Sequence, residues 1–366
     1  MQEHEYYMAR ALQLAERGLF TTDPNPRVGC VIVKGGDIIG EGWHQCAGEG
    51  HAEVNALHDA GEKAKGADCY VTLEPCSHFG RTPPCADNLI NAGVKRVFVA
   101  MRDPNPLVAG KGITKLTDAG IDVSLGVLQQ QAEDLNPGFC QRMRLGRPYV
   151  RSKIAMSLDG RTAMASGESQ WITGTEARQD VQKLRARSSA VVTGTGTVLV
   201  DDPALTVRPE GDWYPKQSSI RQPLRVVVGN EPLAHDARLL AEPSSVLLVT
   251  SRANEADLPC DTLKLAEDKG HVDLTAMMEQ LANREINEVM VEAGSVLNGA
   301  LLEAKLIDEL IIYMAPKLMG DSAKGLFHLP DLQTMAQNIE LTITDIRAVG
   351  KDWRITAKPN YDEVGK

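Results

Sequence analysis

His51, Glu53, Cys76 and Cys85 are the residues whose types and order most directly suggest chemistry in this chain. His51-Ala52-Glu53 is followed by Glu74-Pro75-Cys76 and then by Pro83-Pro84-Cys85. A zinc deaminase needs three protein ligands, one open position for water and a separate carboxylate to move protons. Zinc lowers the pKa of its bound water toward roughly 7, and thiolate and imidazole donors suit it better than they suit magnesium or calcium. One His, two Cys and a nearby Glu meet that demand. Helical residues two apart point to different sides, so Glu53 can face the substrate if His51 stands at the turn entering a helix. His51 and Cys85 both fall near predicted helix starts, where the dipole favours thiolate and hydroxide.

Singly these signals are weak. An H-x-E triplet is common by chance, and each cysteine alone reads as a buried structural thiol. The ordered set around a helix–strand–helix is far more specific. It departs from the general P-C-x-x-C signature, because eight residues, Ser77 to Pro84, separate Cys76 from Cys85. A closed structural zinc is the other option. It would need a fourth ligand such as Cys46, His44 or His78 and would leave Glu53 idle. The chain has seven cysteines, an odd and scattered set that does not read as a disulfide framework.

The elements that must position these residues follow from periodicity. Residues 3–17 read as a helix, 28–33 and 38–43 as a hairpin across Lys34–Asp37, 52–64 as a helix and 69–73 as a buried strand. A short helix over 84–92 is entered through Pro83-Pro84 and left at Gly93. Strands at 94–101 and 121–125 flank a helix at 111–119. The result is an α/β sandwich with a mixed sheet. Arg142 to Pro148 is basic, carries Gly146 and Pro148 and lacks apolar periodicity, which places a boundary there and gives domains 1–146 and 147–366. A second α/β pattern follows. Its strands are expected at 149–156, 189–193, 224–228, 245–250, 288–292 and 307–313, and its helices at 175–187, 273–283 and 295–304. Residues 206–222 read as an excursion loop, and the end of the chain from Pro359 as frayed.

At 366 residues, each half is long enough for its own core. The net charge of −10 bears on substrate class, since several deaminases of this chemistry act on DNA or RNA. Residues 1–146 hold 14 Lys and Arg against 18 Asp and Glu, and the remainder 25 against 31. Neither half has the basic surplus of a phosphate-backbone binder, so a small-molecule substrate and no nucleic-acid partner are expected. No apolar run is long enough to span a bilayer. The polar start, Met1-Gln2-Glu3-His4-Glu5, lacks the features of a secretory signal, which points to a cytoplasmic protein without a membrane partner.

Three stretches carry a resemblance to a known family: Asn25 to Val33, His51-Ala52-Glu53, and Leu73 to Cys85. They resemble the bifunctional deaminase–reductase of riboflavin biosynthesis, which shows the same eight-residue cysteine spacing. The second half continues the likeness through Lys153–Ala163, Ser169–Thr173, Asp201–Arg208 and Val291–Gly294. The resemblance implies a cytidine-deaminase-like first domain and a dihydrofolate-reductase-like second one. The first would deaminate 2,5-diamino-6-ribosylamino-4(3H)-pyrimidinone 5′-phosphate with zinc on His51, Cys76 and Cys85 and with Glu53 as catalytic acid–base. The second would use NADPH to reduce the ribosyl chain of 5-amino-6-(5-phosphoribosylamino)uracil to ribityl.

By the same resemblance, Asn25, His44, His78 and Arg81 would contact the deaminase substrate. Ser169, Arg185, Leu205, Arg208 and Glu292 would contact the reductase substrate. Ala155, Trp171, Thr197, Asp201 and the run Gly294, Ser295, Val296, Leu297, Asn298, Gly299 and Ala300 would lie along NADPH. Lys153, with Asp201 or Glu292, would serve proton transfer. At Gly229-Asn230 the chain departs from the family's Asp-Ser pair, and no cofactor contact is carried over there. A homo-oligomer is implied as well. The residues alone say less about this half. Val291 to Ser295 is neither a G-x-G-x-x-G turn nor a P-loop, and it also fits a plain tight turn. A second domain that binds phosphosugar without catalysis is the alternative.

Overall fold

The computed structural model describes residues 3–77, 84–216, 219–241, 245–252, 258–268 and 270–361. The contacts divide the chain into two compact units, Met1–Gly146 and Arg147–Lys366.

The first unit runs α1 (Glu3–Glu16), β1 (Gly29–Lys34), β2 (Asp37–Trp43), α2 (Ala52–Ala60), a 3-10 turn (Gly61–Ala64), β3 (Asp68–Leu73), α3 (Cys85–Ala92), β4 (Arg96–Met101), α4 (Lys111–Asp118), β5 (Asp122–Leu125), α5 (Gln129–Leu135) and α6 (Pro137–Leu145). Its five-stranded sheet has the order β2-β1-β3-β4-β5. The β1–β2 and β1–β3 pairs are antiparallel, and β3–β4 and β4–β5 are parallel, so the sheet is mixed. In β1 the run Gly29 to Val33 is wholly buried, as a strand covered on both faces must be.

Glycines set the close seating of helices on this sheet. A Cβ on Gly29 would lie 1.9 Å from the Ala11 carbonyl oxygen in α1. One on Gly42 would lie 2.4 Å from the Ala52 carbonyl oxygen in α2. Glycine in β2 therefore lets α2 approach, and with it His51 and Glu53.

The second unit runs β6 (Tyr149–Ser157), β7 (Arg161–Ala163), α7 (Thr175–Arg187), β8 (Ala190–Gly194), α8 (Thr195–Asp201), β9 (Leu224–Val228), α9 (Arg238–Ala241), β10 (Val246–Thr250), β11 (Asp261–Lys264), β12 (Glu267–Asp268), β13 (His271–Val272), α10 (Leu274–Asn283), β14 (Glu288–Val291), α11 (Ser295–Glu303), β15 (Glu309–Ala315), β16 (Lys324–Gly325), β17 (Leu341–Val349) and β18 (Asp352–Pro359). Nine strands form one sheet, in the order β11-β10-β9-β8-β14-β6-β15-β18-β17. All pairs from β11 to β15 are parallel, and β18 and β17 are added antiparallel. The carboxyl ends of the parallel strands thus share one edge, where an open α/β sheet binds its ligand.

The structure adds elements that periodicity did not show. α5 and α6 occupy 129–145, so Arg142 to Leu145 are helical and not a linker, and the chain leaves the helix at Gly146 in a left-handed conformation, φ 68°. Each of these short helices buries little, Ala132 in α5 and Gly138 and Cys140 in α6, which explains the weak apolar period. The Gly194-Thr195-Gly196-Thr197 run enters α8. The stretch expected to fray from Pro359 begins with a hydrogen bond from the Asn360 N–H to the Glu340 carbonyl, 2.8 Å, and 362–366 lie outside the described residues. The excursion over 206–222 has neither helix nor strand among its described residues, yet it buries Val207 and Tyr214.

Candidate functional site

In the first unit, two helix starts and one strand end converge. His51 is the N-cap of α2, in extended conformation, and its side chain makes no capping bond, so the ring is free to ligate. Glu53 follows in the first turn of α2 and is 3% exposed. Cys76 leaves β3 through Glu74-Pro75, and Cys85 is the first residue of α3. His51 Nδ1 stands 3.2 Å from Cys85 Sγ and 3.6 Å from Cys76 Sγ, and the three donor atoms lie within 4.8 Å of one another. Tetrahedral bonds of about 2.3 Å to sulfur and about 2.0 Å to nitrogen would put such N and S donors about 3.5 Å apart, so the donor set fits zinc.

The electrostatics agree with a metal site. The Cys76 sulfur is pulled well down by the hydrogen bond from the Cys85 thiol, which outweighs burial, and by His51 and the Cys85 backbone N–H at 3.3 Å. That same bond and burial push the Cys85 thiol up. His51 is raised by its bond to Cys76. Glu53 is pushed up to about 7, first by burial and then by the Cys76 charge. A carboxyl near neutrality can both take and give a proton at physiological pH.

Asn25 and His44 sit beside this centre. The His44 ring meets the His51 ring edge-on at 5.6 Å between centroids. His44 is buried, with Nδ1 3.1 Å from the Gly50 carbonyl oxygen and Nε2 3.1 Å from Asn25 Nδ2. The Gly50 contact requires the proton on Nδ1, so Nε2 accepts from the amide. Both ring nitrogens are thereby occupied. His44 is therefore placed to orient Asn25. The same bonds deny a structural zinc its fourth ligand at His44. His78 and Arg81 lie outside the described residues.

Sequence reasoning missed Glu74. Its Oε1 accepts from the N–H of Gly112 at 2.9 Å and Ile113 at 3.3 Å, and its Oε2 from Gly110 at 3.0 Å and Asp103 at 3.2 Å. The carboxylate caps α4 and locks the β3 end two residues before Cys76. Its place before Pro75 was the available signal.

In the second unit a cleft of about 1800 Å³ runs along the carboxyl edge of the sheet. That volume exceeds one drug-sized ligand and suits a dinucleotide with a second substrate. Lys153 (β6) and Glu292 (after β14) line it, with Nζ 3.7 Å from Oε2. Arg185 (α7) grips Glu292 with Nε to Oε1 at 2.5 Å and Nη2 to Oε2 at 3.0 Å, and its Nη1 donates to the Thr206 carbonyl at 3.1 Å. A guanidinium so engaged holds Glu292 at the cleft wall. Arg208 lines the cleft with an exposed side chain. Burial would raise the Glu292 carboxyl, but Arg185 and Lys153 more than reverse this and hold it at about 2. Burial lowers Lys153, and Arg185 adds to that while Glu292 opposes it.

Asp201 accepts from Ser169 Oγ at 2.9 Å, and both line the cleft. So do Ala155, Trp171, Thr197 and Leu205, and the start of α11 at Gly294, Ser295, Val296, Leu297 and Ala300. Asn298 and Gly299 do not. Asn298 is 1% exposed, accepts from Ser152 Oγ at 2.6 Å and donates to the Ala293 carbonyl at 2.8 Å. A Cβ on Gly299 would lie 2.1 Å from the His328 carbonyl oxygen. A helix turns the side-chain positions of these two residues inward while their neighbours face the cleft. Conversely, Gly229 and Asn230, from which no contact was carried over, do line the cleft.

Two family models match the chain: the cytidine and deoxycytidylate deaminase zinc-binding region over residues 1–101, and the RibD C-terminal domain over 148–355. Among curated proteins it is 56% identical over 363 residues to the riboflavin biosynthesis protein RibD of Escherichia coli K12, covering 96% of this chain and 98% of the relative. It is 50% identical over 362 residues to the Haemophilus influenzae protein of that name, covering 96% of each. Among solved structures, Acinetobacter baumannii RibD (form 1) superposes with a TM-score of 0.92 at 47% identity, over 98% of this chain and 99% of that one. A Thermotoga maritima diaminohydroxyphosphoribosylaminopyrimidine deaminase/5-amino-6-(5-phosphoribosylamino)uracil reductase superposes with a TM-score of 0.85 at 32% identity and the same coverage.

Proposed function

Because the chain belongs to the family of bifunctional deaminase–reductases of riboflavin biosynthesis, we propose how its residues divide that work. The first unit exchanges the ring amino group of 2,5-diamino-6-ribosylamino-4(3H)-pyrimidinone 5′-phosphate for oxygen, consuming water and releasing ammonia. His51, Cys76 and Cys85 would hold zinc, which would supply an acidified water. Glu53, buried beside those ligands, takes the proton from the water and returns it to the departing amine. Asn25, turned by His44, presents its amide to the substrate.

The cleft of the second unit would hold NADPH, which would supply the hydride for the ribosyl carbon. Lys153 delivers the accompanying proton to the ring oxygen as the sugar opens. Glu292 stays ionised and orients Lys153, since a carboxyl held at about 2 is a poor donor at neutral pH. The backbone N–H groups opening α11, which has no side-chain cap, suit the dinucleotide phosphates. Arg208 takes the substrate phosphate.

The observation that carries the reading is the convergence of His51, Cys76 and Cys85 within 4.8 Å, with a buried Glu53 on the same helix as His51. The test is a coupled assay on the diaminopyrimidinone phosphate that follows ammonia and NADPH absorbance separately. Ammonia followed by NADPH oxidation is expected. Ammonia without oxidation would reduce the second unit to a phosphosugar-binding module, and no ammonia from zinc-loaded protein would name the wrong substrate.

The acidic balance supports a small-molecule substrate over a nucleic acid. Its cysteines, all free in the structure, suit the reducing cytoplasm. No described helix is long and apolar enough to cross a membrane. A homodimer through β17 fits the sheet edge. That strand ends the nine-stranded sheet and exposes every residue but Val349, including Leu341, Ile343 and Ile346. Such an edge is a template for pairing. Two copies paired antiparallel about Ile346 would set Asp345 of each against Arg347 of the other. Sedimentation should show a dimer that Ile346→Asp dissociates, and a monomeric wild type would end this reading.

A further inference from the structure

Arg252 follows the carboxyl end of β10, beside the turn after β9 that carries Asn230. The two strands run parallel, with Val228 against Val249, so both turns open on the same edge of the sheet. Asn230 fastens them together. Its Oδ1 accepts from Thr250 Oγ1 at 2.8 Å and from the Ser251 N–H at 2.9 Å, and its Nδ2 donates to Ser251 Oγ at 2.9 Å. The Arg252 N–H donates to Thr250 Oγ1 at 3.2 Å. The backbone under Arg252 is therefore held on several sides. Its side chain is exposed, lines the cleft and makes no hydrogen bond or salt bridge among the described residues.

The topology says which part of a dinucleotide reaches this point. Ligands of open α/β sheets lie where the winding reverses. Here the chain winds outward from β8 through β9, β10 and β11, then returns to β14 and crosses β6 to reach β15. The crevice is therefore between β8 and β14. Lys153 and Glu292 stand on the β6–β14 side, and α11 begins directly after β14. With the nicotinamide at Lys153 and the diphosphate at the start of α11, the adenosine extends over β9 and β10.

NADPH differs from NADH only by a phosphate on the adenosine 2′-oxygen. We propose that Arg252, its backbone held by Asn230, binds this 2′-phosphate and sets the preference for NADPH over NADH. A carboxylate at such a strand end otherwise pairs with the 2′-hydroxyl of NADH, but Glu231 instead accepts a hydrogen bond from the Thr195 hydroxyl. Arg252 also helps hold that carboxylate ionised, after the Thr195 and backbone bonds.

The inference rests on the reductase reading, and titration calorimetry with NADP⁺ and NAD⁺ on the full zinc-loaded chain separates the two. Wild type should bind NADP⁺ more tightly. Arg252→Ala should weaken NADP⁺ by about ten- to a hundredfold, the size of a charge-assisted contact, and leave NAD⁺ unchanged. Arg252→Lys should recover most of the loss, and 2′,5′-ADP should compete with NADP⁺ far better on wild type than on Arg252→Ala. Equal loss for both dinucleotides, or none for either, overturns the assignment while leaving the reductase intact. Binding of neither dinucleotide by wild type overturns both.

Discussion

The deaminase centre and the reductase cleft are built in opposite ways. The first draws its ligands and acid–base from a span of 35 residues, His51 to Cys85, and brings donor atoms to 3.2 and 3.6 Å of one another. The second draws from β6 to α11 and leaves a cavity of about 1800 Å³. In the first, the protein's own atoms are the chemistry, so their geometry is nearly complete without a ligand. In the second, the protein supplies shape, helix ends and one buried charge cluster, and the cofactor brings the reactivity. The difference predicts that single changes disable the first site completely and the second by degrees.

The largest effect should come from Cys85→Ala. It should abolish stoichiometric zinc, measured by metal analysis, and all deamination, while NADPH oxidation on the deaminated substrate continues. Zinc retained in that variant would remove Cys85 from the ligand set. Glu53→Gln should come next, keeping zinc but slowing ammonia release by about 10²–10⁴-fold, the usual worth of a general acid–base. Deamination near the wild-type rate would show that another group moves the proton.

Glu292→Gln should act on the other side of the comparison. It strands Arg185 and Lys153 as buried cations, which costs about 3–5 kcal/mol when one partner of a buried pair is removed. Thermal unfolding of the second unit should shift down and NADPH oxidation should fall, with ammonia release unchanged. A pH series sharpens this. The Glu292 carboxyl is lowered from 4.5 to about 2 on folding, so its stabilisation is present above pH 4.5 and is lost as pH falls through about 2. The variant should lack that acid limb, and an identical limb would show that Glu292 is not its source.

Glu74→Gln should give the smallest effect. An amide still accepts through one oxygen but places a donor against the α4 N–H groups, costing about 1–3 kcal/mol. Zinc should then dissociate faster in a chelator competition, without loss of the second unit's fold. Unchanged zinc release would mean that Cys76 is placed without it.

Residue type and order alone singled out His51, Cys76, Cys85 and Glu53 as a candidate site, and α2 and β3 are where periodicity placed them. The match is physical. Ligation and proton transfer require particular atoms, and few residue types carry them. Helix starts and buried strands also leave local signals in Pro, Gly and apolar spacing. Arg185 was legible as a cation at the cleft but not as the partner of Glu292, since only folding brings residues 107 positions apart to 2.5 Å. The same holds for Glu74, whose bonds reach Gly110 to Ile113, and for His44, whose ring both Asn25 and Gly50 engage.

What the sequence determined by itself was the chemistry: a three-donor metal site with one carboxylate, two α/β patterns and a break near Gly146. What tertiary structure decided was direction. It turned Asn298 and Gly299 inward from the cleft, gave both oxygens of Glu292 to Arg185, and brought Asn230 and Arg252 to the same edge of the sheet. Which way a side chain points depends on strand order and helix phase, and those are settled by burial summed over the whole unit, not by any residue's neighbours in the chain.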